Sequence, residues 1–235
     1  MPLPTTRIIS SLSLALLALI GAYLTVVAVW AVSSVEELIG KETFHTEVAR
    51  ITEEQVSILI KIEDPTFYTH PGVDLSRGQG LTTVTSSIAR DIFLFRHELS
   101  GIKGRLQSFY AGVFRCCKKI DVGRDVMALV LNFYLPKEKQ LSFFITNSYM
   151  GSYKGESVIG LIQASSIYHG RSLPELTNRE FIGLVAMLKA PIRFHLLDNP
   201  DAHKSRTDNI EKIIAGECQP NSWFDTSYEH CADDA

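Results

Sequence analysis

The chain has 235 residues, with 23 Lys and Arg against 26 Asp and Glu, 46% hydrophobic residues and a mean hydropathy of +0.09. That length supports one real core plus an appendage, and the apolar share excludes a disordered or collagen-like chain. Four Cys exclude a disulfide-dense scaffold, and a net charge of −3 excludes a general nucleic-acid binder.

Taken in chain order, the first element is an uncharged run from Ile8 to Val35, longer than the roughly 20 residues a bilayer crossing needs. An uncleaved transmembrane anchor is the first reading. A signal peptide cut near Ala31-Val32-Ser33 is the alternative, though its apolar region would be unusually long. Arg7 before the run and Glu36-Glu37 after it point the N-terminus to the cytoplasm and the rest outward. Thr52-Glu-Glu-Gln55 is a capping box, and Val56, Leu59 and Ile60 continue it at helical spacing. That helix should end near Ile62, because Pro65 disfavours helical geometry at Asp64. Further helices are expected over 82–95, 126–135, 137–149 and 157–168, the last stopped by Gly170. Thr177-Asn-Arg-Glu180 opens another that ends before Pro191, and an amphipathic polar stretch follows Asp201 to about Ala215. No alternating strand pattern and no internal repeat stands out. The expected layout is an anchor over 1–35, a mainly α domain over 36–215 and an acidic tail over 216–235.

Charge is uneven along this layout. Between Arg90 and Arg124 stand eight basic residues against three acidic ones, Asp91, Glu98 and Asp121. The apolar run from Leu106 to Phe114 lies inside that stretch, with Arg115, Lys118 and Lys119 behind it. It suits either a segment resting on an anionic membrane or a core helix with a solvated basic end. In an exported chain Cys218 and Cys231 are compatible with a short disulfide loop. His and Cys spacings show no zinc pattern, so no metal site is expected within the chain.

Two constellations carry chemistry. In Glu63-Asp64-Pro-Thr-Phe67-Tyr-Thr-His70-Pro-Gly72, Glu63 falls at a helix C-terminus, where the macrodipole opposes a further negative charge. Burial there raises a carboxyl pKa toward the range of a neutral-pH general base, whereas a structural alternative has Glu63 and Asp64 capping the turn or pairing with His70 or Arg77. In Gly80-Leu-Thr82-Thr83-Val-Thr85-Ser86-Ser87-Ile-Ala-Arg90, five hydroxyl residues crowd a helix opening despite poor helix propensity. They fit either phosphate or sugar oxygens, or a solvated polar face.

In this order and behind an anchor, the two segments resemble the peptidoglycan glycosyltransferase family, the monofunctional transglycosylases and the glycosyltransferase domain of bifunctional penicillin-binding proteins. Glu63, Asp64, Phe67, His70 and Gly72 match its E-D-x-x-F-x-x-H-x-G motif, and Gly80, Thr83, Thr85 and Ala89 match its G-G-S-T-I-T-Q-Q-L-A-K-N motif. Lys137-Glu138, Tyr149, Gly151, Tyr168, Gly170, Ala190-Pro191 and Arg206 follow in the family's order. The resemblance implies a lysozyme-like α fold on the outer face of the cytoplasmic membrane, joining lipid-linked disaccharide precursor into glycan strands and releasing polyprenyl diphosphate. In that scheme Glu63 is the general base. Asp64, Phe67, His70 and Gly72 shape the acceptor site, and Gly80, Thr82, Thr83 and Thr85 line the donor groove. Arg90, Lys118, Lys119 and Arg124 hold the diphosphate, with a divalent cation as a family-implied helper. The implied partners are the precursor, the glycan strand, the membrane and other cell-wall synthesis proteins, with no nucleic acid.

This sequence departs from the family pattern at four places. Ser86-Ser87 replace the paired Gln, and His70 stands only ten residues before Gly80. Arg124 falls where the R-K-x-x-E motif has its Glu, leaving Asp121 or Asp125 as the second acid, and Phe144-Ile145-Thr146 replace Y-L-N. A polymerase and a non-catalytic relative that binds precursor or glycan and regulates cell-wall synthesis are therefore both expectations. A lysozyme-like hydrolase is disfavoured by the anchor and the basic stretch.

Overall fold

The computed structural model describes residues 5–44, 51–74, 82–116, 121–221 and 225–232. It is mainly α, as expected. In chain order the elements are α1 (Thr5–Gly40), α2 (Glu53–Glu63), α3 (Val84–Arg90), α4 (Gly101–Cys116), α5 (Val122–Tyr134) and α6 (Lys137–Asn147). A hairpin of β1 (Tyr149–Tyr153) and β2 (Glu156–Ile159) follows, then α7 (Leu161–His169), α8 (Asn178–Leu188) and α9 (Pro200–Ala215). The chain divides into two compact units. One is 1–42 with 89–134, and the other is 43–88 with 135–235.

In the first unit, α1 contains one stretch, Ser13–Gly40, that is long and apolar enough to cross a membrane. Its two halves differ. Leu14, Leu16, Leu17 and Leu19 are exposed, whereas Val27, Trp30, Ala31, Val35 and Leu38 are buried and recur at helical spacing. The Trp30 indole N–H donates to the Lys103 carbonyl at 3.0 Å, and its ring packs on Phe93 and Tyr110. After α3 the chain turns through a π-helical segment, Asp91–Arg96. Gln107 of α4 gathers the loosened backbone there. Its side-chain amide donates to the Phe93 and His97 carbonyls at 2.8 and 2.7 Å, and its oxygen accepts from the Leu99 N–H at 2.9 Å. The 106–114 run lies within α4, with Tyr110, Ala111 and Phe114 buried and Phe109 exposed.

The second unit is built around α8, where every residue from Phe181 to Met187 is buried. Both expected capping boxes form. The Gln55 N–H donates to Thr52 Oγ1 and the Thr52 N–H to Gln55 Oε1, each at 3.1 Å. The Thr177–Glu180 pair repeats the arrangement ahead of α8. The α2 helix ends at Glu63, and Gly170 closes α7 in the left-handed conformation.

The helices expected over 137–149 and 157–168 form as α6 and α7, and the hairpin between them takes the end of the first expected range and the opening of the second. Lys154 and Gly155 take φ of 51° and 86°, a tight-turn geometry that favours glycine, and Tyr153 pairs with Glu156 directly across it. The hairpin leaves no sign in the sequence because the strands span only five and four residues, and a bulge between Tyr149 and Ser152 breaks their alternation. The helix expected over 82–95 forms as α3 and then changes to the wider π turn.

Candidate active site

Within the second unit the first motif folds back against the start of α3 as a buried hydrogen-bonded knot. Asp64, fully buried, accepts from the Val84 backbone N–H and from His70 Nε2, both at 2.9 Å, through one carboxylate oxygen. His70 Nδ1 accepts the Gly72 N–H at 2.9 Å, so its proton sits on Nε2 and points at Asp64. Gly72 has a φ of 120°, a conformation open to glycine, and its carbonyl accepts the Thr83 hydroxyl at 2.6 Å. Thr83 Oγ1 in turn accepts the Ser86 N–H, capping the opening of α3. Thr85 donates to Gln140 at 2.6 Å and accepts from the Lys137 ammonium at 3.2 Å. Phe67 is buried beneath Lys137, whose ammonium lies 4.6 Å from the ring centre. Burial pushes Lys137 down to about 8, opposed by the Asp64 charge.

Glu63 is treated differently from its neighbour. It is half-buried at the last position of α2 and accepts no hydrogen bond among the described residues. Burial pushes its carboxyl up to about 7, against the pull of Arg206 and then Lys189, while the Asp64 charge adds to the rise. A carboxyl without a donor, poised near neutrality and facing two cations, can take up a proton from a hydroxyl brought to it.

The structure thus brings Glu63, Asp64, Phe67, His70, Gly72, Thr83 and Thr85 together in one unit. Phe67, His70, Thr83 and Thr85 are buried, with the polar groups of the last three engaged internally. Thr82 is exposed beside them. Gly80, Lys118 and Lys119 lie outside the described residues. The remaining candidates belong to the first unit. Asp121 precedes α5 and its carboxylate accepts the Arg124 N–H at 3.1 Å, an N-cap role. Asp125 pairs with the Arg124 guanidinium at 3.1 Å, and burial pushes its carboxyl upward against that pairing. Arg90 forks onto Asp91 and lies 5.9 Å from the Phe114 ring centre.

Sequence reasoning placed Lys137 and Arg206 only in a collinear match and gave Lys189 and Tyr228 no role. Lys137 follows Pro136 at the opening of α6, and Lys189 directly precedes Ala190-Pro191, but neither position alone names its carboxylate partner. A divalent cation finds no fitting carboxylate set among the described residues. Glu63 faces cations, Asp121 is a cap and Asp125 is paired with Arg124. One group of metal-ligating type does converge, Cys218, His230 and Cys231, but its two sulfurs are joined as a disulfide.

These features define a mainly α protein with a long apolar helix and a carboxyl of raised pKa beside a motif-built knot. The sequence profile of the transglycosylase family matches residues 121–214. Penicillin-binding protein 1B of Buchnera aphidicola subsp. Baizongia pistaciae is 29% identical over 173 residues, 68% of this chain and 21% of that protein. Penicillin-binding protein 1B of Vibrio cholerae is 26% identical over 173 residues, with 68% and 20% covered, and penicillin-binding protein 1F of Bacillus subtilis is 28% identical over 165 residues, with 64% and 20% covered. The alignments thus span about a fifth of the length of these relatives. The chain is thus similar to the transglycosylase family and to the penicillin-binding proteins that carry this domain, in line with the resemblance found in the sequence.

Proposed function

We propose that the chain is a membrane-anchored glycosyltransferase that polymerises lipid-linked disaccharide-peptide precursor into glycan strands at the outer face of the cytoplasmic membrane. The observation that carries this reading is Glu63, a carboxyl at about 7 with no hydrogen-bond donor among the described residues, in the family's first motif. Glu63 takes the proton of the acceptor sugar's 4-hydroxyl as that oxygen attacks the donor's anomeric carbon. The bond from that carbon to the phosphate oxygen breaks with inversion, and its electrons leave on the polyprenyl diphosphate. Cations stabilise the departing charge, a role for Arg90, Arg124, Lys118 and Lys119. Asp125 suits the second acidic position better than Asp121, whose carboxylate is spent on the α5 cap. The buried knot of Asp64, His70 and Thr83 fixes the backbone on which Glu63 is carried. Anchoring is supported by α1, since removing it at Ser33 would strip Val27, Trp30 and Ala31 from the core of the first unit.

A non-catalytic, regulatory reading is favoured by one observation, that Arg124 stands at the family's second Glu position while Asp121 serves as a cap. Detergent-purified protein incubated with fluorescent lipid-linked disaccharide decides between the two. Polymer from the wild type and none from Glu63→Gln supports the transferase. Retained precursor binding without polymer from either supports the regulator.

A further inference from the structure

The acidic C-terminal stretch from Glu217 onward, which contains no Lys or Arg, has no role in the scheme above. In the structure its described residues, 217–221 and 225–232, fold back on α8 and α9, where Arg206 organises them. The Arg206 Nε donates to the Ala186 carbonyl of α8 at 3.0 Å, and Nη1 donates to the Thr226 and Ser227 carbonyls at 2.8 and 3.2 Å. Its guanidinium is sandwiched between Phe194 and Tyr228, 4.9 and 5.2 Å from the ring centres. Asn209 donates to the Tyr228 carbonyl at 2.9 Å and Lys212 to the Cys231 carbonyl at 2.6 Å. The Cys218–Cys231 disulfide closes the loop across 13 positions.

Within this loop Tyr228 is held in an unusual way. Its φ is +59°, a left-handed conformation rare for a bulky residue, and its ring is nevertheless buried. Asp225 accepts the Tyr228 N–H at 3.2 Å and pairs with His230 at 2.9 Å, fixing the turn. The phenol reaches to 3.4 Å of the Ile62 carbonyl, one residue before Glu63, and both burial and the Glu63 charge push Tyr228 up to about 12. Such strain persists only where the surroundings overdetermine it, and they do so here beside the candidate base.

We propose that the disulfide-closed tail is a working part of the Glu63 site, a clamp that seats Tyr228 and Arg206 beside Glu63 and is released when the Cys218–Cys231 bond is opened. This rests on Glu63 being the base of the proposed function. A dithiol opens the clamp by attacking one sulfur and then displacing the mixed disulfide; two electrons and two protons pass to Cys218 and Cys231, and the dithiol leaves oxidised. The charged or titratable groups around Glu63 are Arg206 on α9, Lys189 at the end of α8, the adjoining Asp64 and Tyr228 of the tail. Burial dominates the Glu63 shift, so lifting the tail exposes the half-buried carboxyl further to water and makes it a weaker base.

The test is a titration of 13C-carboxyl-labelled Glu in the full chain in detergent, with the Glu63 signal assigned by its loss in Glu63→Gln. Oxidised protein should titrate near 7, and protein treated with dithiothreitol, its free thiols counted, should fall by about one unit or more. Tyr228→Gly keeps the disulfide, suits the positive φ and removes the ring; it should produce the same fall, so the clamp is testable even if the reduced protein loses structure. An unchanged Glu63 midpoint in both overturns the clamp. The titration needs no substrate. A moving midpoint without any glycan product therefore overturns the transferase alone, and polymerisation with an immovable midpoint overturns the clamp alone.

Discussion

Glu63 and Asp121 both stand at helix ends, Glu63 closing α2 and Asp121 just ahead of α5. At the opening of α5 the unpaired N–H groups welcome a carboxylate, and Asp121 is consumed as a cap. At the close of α2 the dipole opposes one, no donor among the described residues compensates, and burial raises the Glu63 carboxyl to about 7. The contrast teaches that a carboxylate's place along a helix decides whether it stabilises the fold or stays available for chemistry. The same contrast separates Glu63 from Asp64, one position apart, because Asp64 faces the N-terminal end of α3 and finds the Val84 N–H there.

Four measurements test the difference between the two carboxylates. Glu63→Gln should lower glycan formation by about 10²–10⁴-fold while the fold persists, measured on fluorescent precursor. Asp64→Ala should strand the Val84 N–H and the His70 ring and cost about 3 kcal/mol, which is a drop in thermal midpoint of roughly 6–12 °C in a chain of this size. Glu63→Gln should also change the pH dependence of stability. A carboxyl at about 7 in the folded chain keeps a proton that the unfolded chain releases above about 4.5, so wild-type stability falls as pH rises between these values. The variant lacks that decline, and by pH 8 it should have gained at most about 3 kcal/mol relative to its difference from wild type at pH 4, as read from melting at both pH values. Asp121→Ala should cost about 1 kcal/mol of stability through the lost cap. If it abolished glycan formation in a folded protein instead, Asp121 would be the second acid and the contrast with Glu63 would fail.

Much of the α architecture was legible because its signals are local. Thr52-Glu-Glu-Gln55 and Thr177-Asn-Arg-Glu180 each name a helix start within four residues, and Gly170 names an end. The hairpin was missed because its strands are too short to show alternation and Lys154-Gly155 is a weak turn signal by itself. Glu63 was legible from motif and helix position together. Its surroundings were not, because Arg206, Lys189 and Tyr228 reach it from more than a hundred positions away and no local pattern encodes that approach. The hydroxyls of Thr83 and Thr85 show a related gap, since residue type fitted a sugar-facing groove while packing turned both to internal partners.

The first unit has a consequence for how the chain is made. α1 packs chiefly against α5, yet about eighty residues separate the end of one from the start of the other. At a synthesis rate of about 5–20 residues per second, α5 follows roughly 4–16 s later. Throughout that interval the stripe of Val27, Trp30, Ala31, Val35 and Leu38 has no α5 to cover it. Acyl chains are the natural temporary solvent for such a surface, so the helix is suited to enter lipid first and to recruit its protein neighbour afterwards.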